Sequence, residues 1–342
     1  MKKILYALAL LVLSVQVKSQ SFADLVDSVK PSVVKIHVLE KKNPGIGNPT
    51  TQTSAQGFGS GVLVGKRNNY ILTAAHVVAN ASKIQVEFSD GFMLSAVNRR
   101  LDKTADVALI ELERPASNFP AAKIGDSDKV RVGEDIFIIG NPLGLSFSVS
   151  KGIISGKHSE MHETIEGKIQ EFFQTDASIN KGNSGGPMFN MQGEVIGIVS
   201  SILSFSGGFE GLGFAATSNI AVEILGQQGR IWFGTEILPM NPEFCKIFNV
   251  PQEGALMVLN VVDNSPAYFM GLKGGYLTMK IGELEFLSGG DVILQFDDIP
   301  LNSIENIEKF YEYMNNLEKG QEYQVKILRN GEIKTLRWRM TQ

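Results

Sequence analysis

The sequence has a single cysteine, Cys245, in 342 residues. One thiol can close neither an intrachain disulfide nor a cysteine-based zinc site. Stability must therefore come from packed apolar cores, which a chain of this length can build. Histidine is scarce as well, with four residues: His37, His76, His158 and His162. No block of basic charge occurs. The 32 Lys and Arg face 36 Asp and Glu, for a net charge of −4, which argues against nucleic acid as a partner. Beyond the N-terminus no apolar run approaches the ~20 residues of a membrane-spanning helix. What is present is an ordinary globular balance, 43% hydrophobic and 20% charged. The 35 glycines are about a tenth of the chain, against a usual ~7%, and suit a turn-rich β architecture. At roughly 100–200 residues per domain, the length predicts two or three domains.

Residues 1–19 read MKKILYALALLVLSVQVKS. Two lysines precede an apolar run from Ile4 to Val15, and a short polar stretch ends in small residues. This is the layout of a secretory signal peptide. Val17-Lys18-Ser19 fits the cleavage rule and Ser21-Phe22-Ala23 is a rival site. An uncleaved anchor is the alternative. No cysteine follows the run, so lipid attachment is not expected there. The mature protein is expected to be exported, in a bacterium to the periplasm or beyond.

Leu25, Val26 and Val29 predict a short helix that Pro31 stops. Ser32–Leu39 alternates and is β-branched, which predicts a strand. Lys41–Gln56, rich in Gly, Pro, Asn, Thr and Gln, predicts a loop. From Gly57 to about Ser201, short apolar runs alternate with turn signals, among them Gly61–Val64, Tyr70–Thr73, Ile84–Phe88, Val107–Leu112, Ile136–Ile139, Gly152–Ser155 and Val195–Ser200. Many short strands without a long helical pattern predict an antiparallel barrel or sandwich. A helix is expected over 218–228, closed by Gly229. A smaller mixed unit follows, with strands near Ala255–Val262, Asp291–Phe296 and Glu322–Leu328 and a hairpin turn at Asn330-Gly331. Ile304, Ile307, Phe310, Met314 and Leu317 mark an amphipathic helix over Ser303–Leu317. Cys245, among the apolar neighbours of Pro242–Phe248, reads as a small buried hydrophobe.

The strongest chemical signal is Gly182-Asn183-Ser184-Gly185-Gly186-Pro187. A nucleophilic serine needs bare backbone around it, so that a substrate carbonyl can approach and N–H groups can face the developing oxyanion. Thr73-Ala74-Ala75-His76-Val77 places a histidine after a strand and small residues. Asp106 heads the apolar strand Val107–Leu112, where a carboxylate is costly unless paired. Holding an imidazolium is such a pairing. Asp102 is the competitor, but beside Arg99, Arg100 and Lys103 it reads as a solvated charge in a turn. His158 and His162, four apart in a charged segment, lack a third ligand, and no metal or cofactor is expected. The order His, Asp, Ser is that of chymotrypsin-type proteases.

His76, Asp106 and Ser184 with their flanks resemble the HtrA/Deg family of secreted, PDZ-bearing serine proteases. Further matches are Gly59-Ser60-Gly61, Gly140-Asn141-Pro142-Leu143-Gly144, Gln174-Thr175-Asp176-Ala177 and Gly213-Phe214-Ala215, so the resemblance covers roughly residues 24–225. It implies a mainly β fold: a chymotrypsin-like pair of six-stranded antiparallel β-barrels over 20–229, then one α+β PDZ domain over 230–342. It implies Ser184 as nucleophile, His76 as general base and Asp106 as orienter, with an oxyanion hole in Gly182-Asn183-Ser184. Gly213-Phe214-Ala215 resembles the strand that pairs with substrate, with Ile179 at the pocket wall; these small or apolar positions predict a small aliphatic residue before the cut. Asp176, which could argue for a basic residue instead, falls at a structural position of the family pattern. Ile231-Trp232-Phe233-Gly234-Thr235 falls at the family's carboxylate-binding loop for C-terminal peptides, although an aliphatic residue is usual where Thr235 stands. Lys273–Ser288 reads as an insertion relative to a minimal PDZ. The family further implies a homotrimer or higher multiple acting on unfolded or misfolded polypeptides. Two other roles fit the same residues: a sensor protease cleaving one membrane regulatory protein, and a holdase with secondary proteolysis.

The domain division carries its own test. Ending the chain near Arg230 is expected to leave a folded two-barrel unit with a cooperative unfolding transition by circular dichroism. A truncated chain that does not fold would place the boundary elsewhere.

Overall fold

The structure is a computed structural model that describes residues 21–42, 53–103, 105–141, 147–160, 170–180, 182–202, 211–226, 232–282, 284–314, 317–318 and 320–339. The expected export segment 1–19, His162 and Ile231 lie outside the described residues. Helix α1 (Phe22–Val29) starts two residues before the pattern of Leu25, Val26 and Val29 suggests, because Ser21 caps it. The Ser21 hydroxyl accepts from the Asp24 N–H and the Asp24 carboxylate accepts from the Ser21 N–H, a reciprocal capping box.

The first barrel contains β1 (Val33–Lys42), β2 (Thr53–Val64), β3 (Tyr70–Ala74), β4 (Lys83–Glu87), β5 (Met93–Asp102) and β6 (Val107–Leu112). It closes in the order β1-β2-β3-β6-β5-β4. β1 and β2 extend into the segment read as a loop, pairing as far as Lys42 with Thr53; main-chain pairing outweighs the polar composition there. Likewise Arg99, Arg100 and Asp102 lie in β5 and not in a turn, paired with Ile110, Leu109 and Val107.

The second barrel contains β7 (Lys123–Ile124), β8 (Asp135–Gly140), β9 (Ser148–Glu160), β10 (Gln170–Thr175), β11 (Pro187–Asn190), β12 (Glu194–Ile202) and β13 (Gly213–Thr217). The order is β11-β8-β9-β10-β13-β12, closed by β11 on β12, with β7 added at β12. His158 therefore sits on a strand.

The two barrels are packed on each other, and β6 shows how. Its run Val-Ala-Leu-Ile-Glu-Leu has no polar alternation at its start because both faces are covered. Ala108, Ile110 and Leu112 face the first barrel's core. Val107 and Leu109 join Val62, Leu72, Phe137, Ile139, Phe189 and Ile198 in a cluster drawn from both barrels. Phe137 is fully buried in that cluster, its ring stacked on Phe189 at 5.2 Å and edge-on to Phe22 at 5.3 Å. Helix α2 (Ala75–Val78) follows β3, and helix α3 (Ser218–Gly226) follows β13.

Next comes a sheet in the order β14-β15-β18-β20-β21, made of β14 (Thr235–Met240), β15 (Ala255–Val261), β18 (Val292–Phe296), β20 (Glu322–Arg329) and β21 (Glu332–Arg339), with β19 (Ile299–Pro300) on β18. β16 (Leu277–Ile281) and β17 (Leu284–Ser288) form a separate hairpin within the expected insertion. Helices α4 (Pro242–Ile247), α5 (Pro266–Met270) and α6 (Ile304–Met314) complete the unit. Ile307, Phe310 and Met314 of α6 are buried as the helical spacing predicts, whereas Ile304, expected on the same face, is exposed at the helix start and Leu317 is buried beyond its end. Asn330 and Gly331 both take positive φ between β20 and β21, as a two-residue hairpin turn requires. Cys245 is 1% exposed and packs in an apolar cluster with Met240, Met257 and Phe286.

Phe137→Ala removes an aromatic ring from the junction of the barrels. The expected cost is about 3–5 kcal/mol of unfolding free energy by urea titration, the usual range for a buried Phe→Ala. A loss under about 1 kcal/mol would show that the inter-barrel cluster does not carry the fold.

Candidate active site

β3 delivers His76 into α2, and the turn between β5 and β6 delivers Asp106. Asp106 holds φ of +53°, a left-handed conformation that short polar side chains tolerate better than most. That conformation brings main chain and side chain together on His76. The Ala75 N–H donates to the Asp106 carbonyl at 3.1 Å. The His76 N–H donates to Asp106 Oδ1 at 2.9 Å, and His76 Nδ1 lies 2.7 Å from Asp106 Oδ2. From the second barrel, the Ser200 hydroxyl donates to Asp106 Oδ2 at 2.5 Å. Burial by itself would raise the Asp106 pKa. The His76 ring hydrogen bond and charge, the Ser200 hydroxyl and the His76 N–H outweigh that burial and hold it below the ordinary carboxylate value. An ionised Asp106 accepts a hydrogen bond from the Nδ1–H of His76, which keeps the proton on that nitrogen and leaves Nε2 as the basic one. The imidazole is half exposed, at 51%, so its far side is open to a reacting group.

Ser184 sits in a loop keyed to the same strand. Gly185 has φ of +81°, and a Cβ there would lie 2.1 Å from Thr73 Oγ1 and 2.3 Å from the Ser60 carbonyl. Only glycine lets this loop press against the residues that lead to His76. Ser60 is the hub. Its N–H donates to the Ser184 carbonyl at 2.9 Å, and its hydroxyl donates to the Gly182 carbonyl at 2.6 Å. The Asn141 N–H donates to the Ser60 hydroxyl at 2.9 Å, and the Thr73 hydroxyl to the Ser60 carbonyl at 2.7 Å. On the other side the Gly185 N–H donates to the Val199 carbonyl at 2.7 Å, next to Ser200. Thus the Ser184 loop is tied on one side to the strand before His76 and on the other to the residue before Asp106's partner. Among the described residues no hydrogen bond joins Ser184 Oγ to His76; such contacts are commonly loose without substrate and tighten on binding.

The expectations for the surrounding residues fare unevenly. Asn183 does not fit an oxyanion donor: its N–H donates to the Asn180 carbonyl at 3.0 Å, and the residue is buried. Among the described residues no hydrogen bond uses the N–H of Gly182 or Ser184. Gly213-Phe214-Ala215 cannot pair with a substrate backbone, because β13 is bonded along both edges, to β10 and to β12. Ala215 and Ile179 instead share a buried apolar cluster with Ile138, Met188 and Val199. In β12, Ser200–Ile202 run along β13 on one edge and pair with no strand on the other among the described residues, and Ser200 touches Asp106. Asp176 accepts from the Ile153 N–H at 2.8 Å, a structural position. His37 pairs with Glu87 at 2.6 Å on the first barrel. No group of three metal-ligating side chains occurs among the described residues.

In the segment read as a peptide-binding loop, Phe233 packs edge-on to Phe296 and Trp338. The Phe233 and Gly234 carbonyls accept from the N–H groups of Ala267 and Val262. Thr235 begins β14, the sheet's edge strand. Trp232 is different. Its ring lies against Arg99 of the first barrel, so it is not a face offered to a peptide in this unit. Ser60, Thr73 and Ser200 were not singled out from the sequence as site residues. Ser200 carried a signal, a hydroxyl ending the apolar run Val195–Val199.

Because the folded Asp106 pKa is depressed, its contribution to stability is complete above the ordinary carboxylate range. It is lost as pH falls through the lower folded value. The stability gap between the wild type and Asp106→Asn is therefore expected to be widest above about pH 5 and to close in strong acid. Urea midpoints measured across pH check this, and a gap that widens in acid would contradict it.

Comparison with known proteins agrees with this architecture. Residues 59–198 match the trypsin-like peptidase domain family and residues 247–339 match the PDZ domain family. The chain is 36% identical over 291 residues to a protein of Pseudomonas putida named "Probable periplasmic serine endoprotease DegP-like", covering 83% of this chain and 56% of that one. It is 34% identical over 289 residues to "Probable periplasmic serine protease do/HhoA-like" of Haemophilus influenzae, covering 75% and 62%. The chain thus spans a little over half the length of these curated relatives. Among solved structures, the HtrA-type protease AlgW with tripeptide is similar at 28% identity and a TM-score of 0.52, covering 94% of this chain and 97% of that one. With a trypsin-like peptidase domain, a PDZ domain and these relatives, the chain belongs to the HtrA/Deg family.

Proposed function

We propose that the chain is a serine endopeptidase. The observation that carries this reading is the junction at Asp106: the carboxylate holds His76 Nδ1 at 2.7 Å, while the Ser184 loop is keyed through Ser60 and Thr73 to the strand before His76. His76 Nε2 takes the proton of Ser184 Oγ as that oxygen attacks a peptide carbonyl. The N–H groups of Gly182 and Ser184 receive the oxyanion. His76 then gives the proton to the leaving amine, and an acyl-enzyme forms. A water molecule, deprotonated by His76, hydrolyses the ester. Asp106 stays ionised throughout and supports the imidazolium. The substrate backbone pairs along Ser200–Ile202. Ile179, Gly213 and Ala215 wall a pocket for a small aliphatic side chain before the cut.

The substrates are unfolded or damaged exported polypeptides, which offer the extended strands such an edge requires. C-terminal peptides add to β14 as an extra strand, with their carboxylates at the Phe233-Gly234-Thr235 turn. The peptidase unit ends and the PDZ unit begins near residue 230, and the working assembly is a homotrimer or a multiple of it. The site of action is the periplasm or outside the cell. Among the described residues no helix is long and apolar enough to cross a membrane. Cleavage after Ser19 suits the fold better than cleavage after Ala23, which would remove the Ser21 cap and the Phe22 ring from Phe137.

Ser184→Ala is expected to abolish cleavage of unfolded casein, on the order of 10⁶-fold as for loss of a triad member, without altering the unfolding transition. Undiminished proteolysis would overturn the assignment. Measuring aggregation suppression by both proteins separates proteolysis from a chaperone role.

A further inference from the structure

Arg99 is a charged side chain placed where charge is expensive. It projects from β5 and is 7% exposed. Among the described residues no carboxylate pairs with it. Burial lowers its pKa to about 9, the mark of a cation deprived of water. What faces it is of two kinds. Its guanidinium donates to the carbonyl of Val78 and, at 2.6 Å, to the carbonyl of Ala81. Its carbon lies 3.4 Å from the centre of the Trp232 ring. The indole N–H donates in turn to the carbonyl of Ala79, at 3.2 Å.

The Val78 carbonyl ends α2, the helix of His76; Ala79 is its cap, and Ala81 follows in the turn that leads to β4. Carbonyls at the end of a helix and in the turn after it need donors from outside the helix, and here Arg99 and Trp232 supply them. An arginine over an indole face gains further when both are desolvated. Trp232 opens the segment that leads into β14, so the second unit supplies half of this arrangement. Removing the indole would leave a cation held by carbonyls alone and open to water on the vacated side.

We infer that Arg99 and Trp232 form a positioning clamp by which the segment entering the PDZ unit holds the His76 helix in its working orientation. The clamp touches no substrate. It acts through the backbone of Val78–Ala81, two to five residues beyond His76. A base displaced by a fraction of an ångström loses rate without losing substrate binding, since misplacement of about 1 Å can cost ~100-fold. This inference rests on the protease reading above, and its test keeps the two apart.

The test uses the full chain and unfolded casein, with Ser184→Ala as the control for background. In Trp232→Leu, kcat is expected to fall roughly 10-fold or more, with KM within about twofold. Trp232→Phe keeps a ring face for the guanidinium and is expected to recover most of the loss. Arg99→Met with Trp232→Leu is expected to lower kcat by less than the product of the two single effects, because both substitutions break the same clamp. In parallel, amide hydrogen exchange of residues 75–82 is expected to quicken in Trp232→Leu. That readout does not depend on activity. Unchanged exchange, an unchanged kcat, a loss confined to KM, or strictly additive effects of the two substitutions would each overturn the clamp. If wild-type cleavage does not depend on Ser184, the protease reading fails, and the exchange measurement still decides the clamp.

Discussion

The carboxylate of Asp106 is the constraint on which the rest of the site depends. It accepts from the ring and backbone of His76, both from the first barrel, and from Ser200 of the second. A buried carboxylate without such partners would tend to take up a proton and lose its charge. With three donors it stays ionised and fixes which imidazole nitrogen is basic. It also requires the barrels to keep one mutual position. The shared cluster around Phe137, Phe189, Val107 and Leu109 provides that position. Hydrophobic packing holds the two barrels together, and the polar junction at Asp106 makes one arrangement of them chemically useful.

The approach of the Ser184 loop to the first barrel has a different physical basis. Close backbone contact there depends on the missing side chain at Gly185 and on hydroxyls that satisfy the buried carbonyls. Ser60 and Thr73 do this for Gly182 and for Ser60 itself. An unpaired buried carbonyl would cost about as much as a lost hydrogen bond. These two hydroxyls, both fully buried, are therefore part of the site although neither reacts. The same logic applies to the Val78, Ala79 and Ala81 carbonyls, which are met by Arg99 and Trp232 from outside the barrel core.

Much of this was legible in the residue order. Gly-Asn-Ser-Gly-Gly-Pro requires bare backbone around a serine whatever the fold, and an aspartate heading an apolar strand signals a paired charge. The helix over Ile304–Met314 and the Asn330-Gly331 turn followed from spacing and from glycine's tolerance of positive φ. Local composition misled where pairing partners decided the outcome. The polar ends of β1 and β2 read as loop, and the basic stretch at Arg99 read as a solvated turn. The role of Gly213–Ala215 was misjudged for a related reason: a strand's sequence does not tell which of its edges is occupied.

The sequence by itself determined the candidate reactive groups, their order along the chain, and the expectation of a β-rich unit followed by a mixed one. Those properties reside in residue types and in periods of two and 3.6, which are local. Only the tertiary structure decided which groups meet. Ser200 reaches Asp106, Asn183 turns away from the oxyanion position, and Trp232 leaves the unit it was assigned to and covers Arg99. Each of these joins residues far apart in the chain. Such contacts are selected by the need to give most buried polar groups partners at once, and that condition belongs to the whole fold.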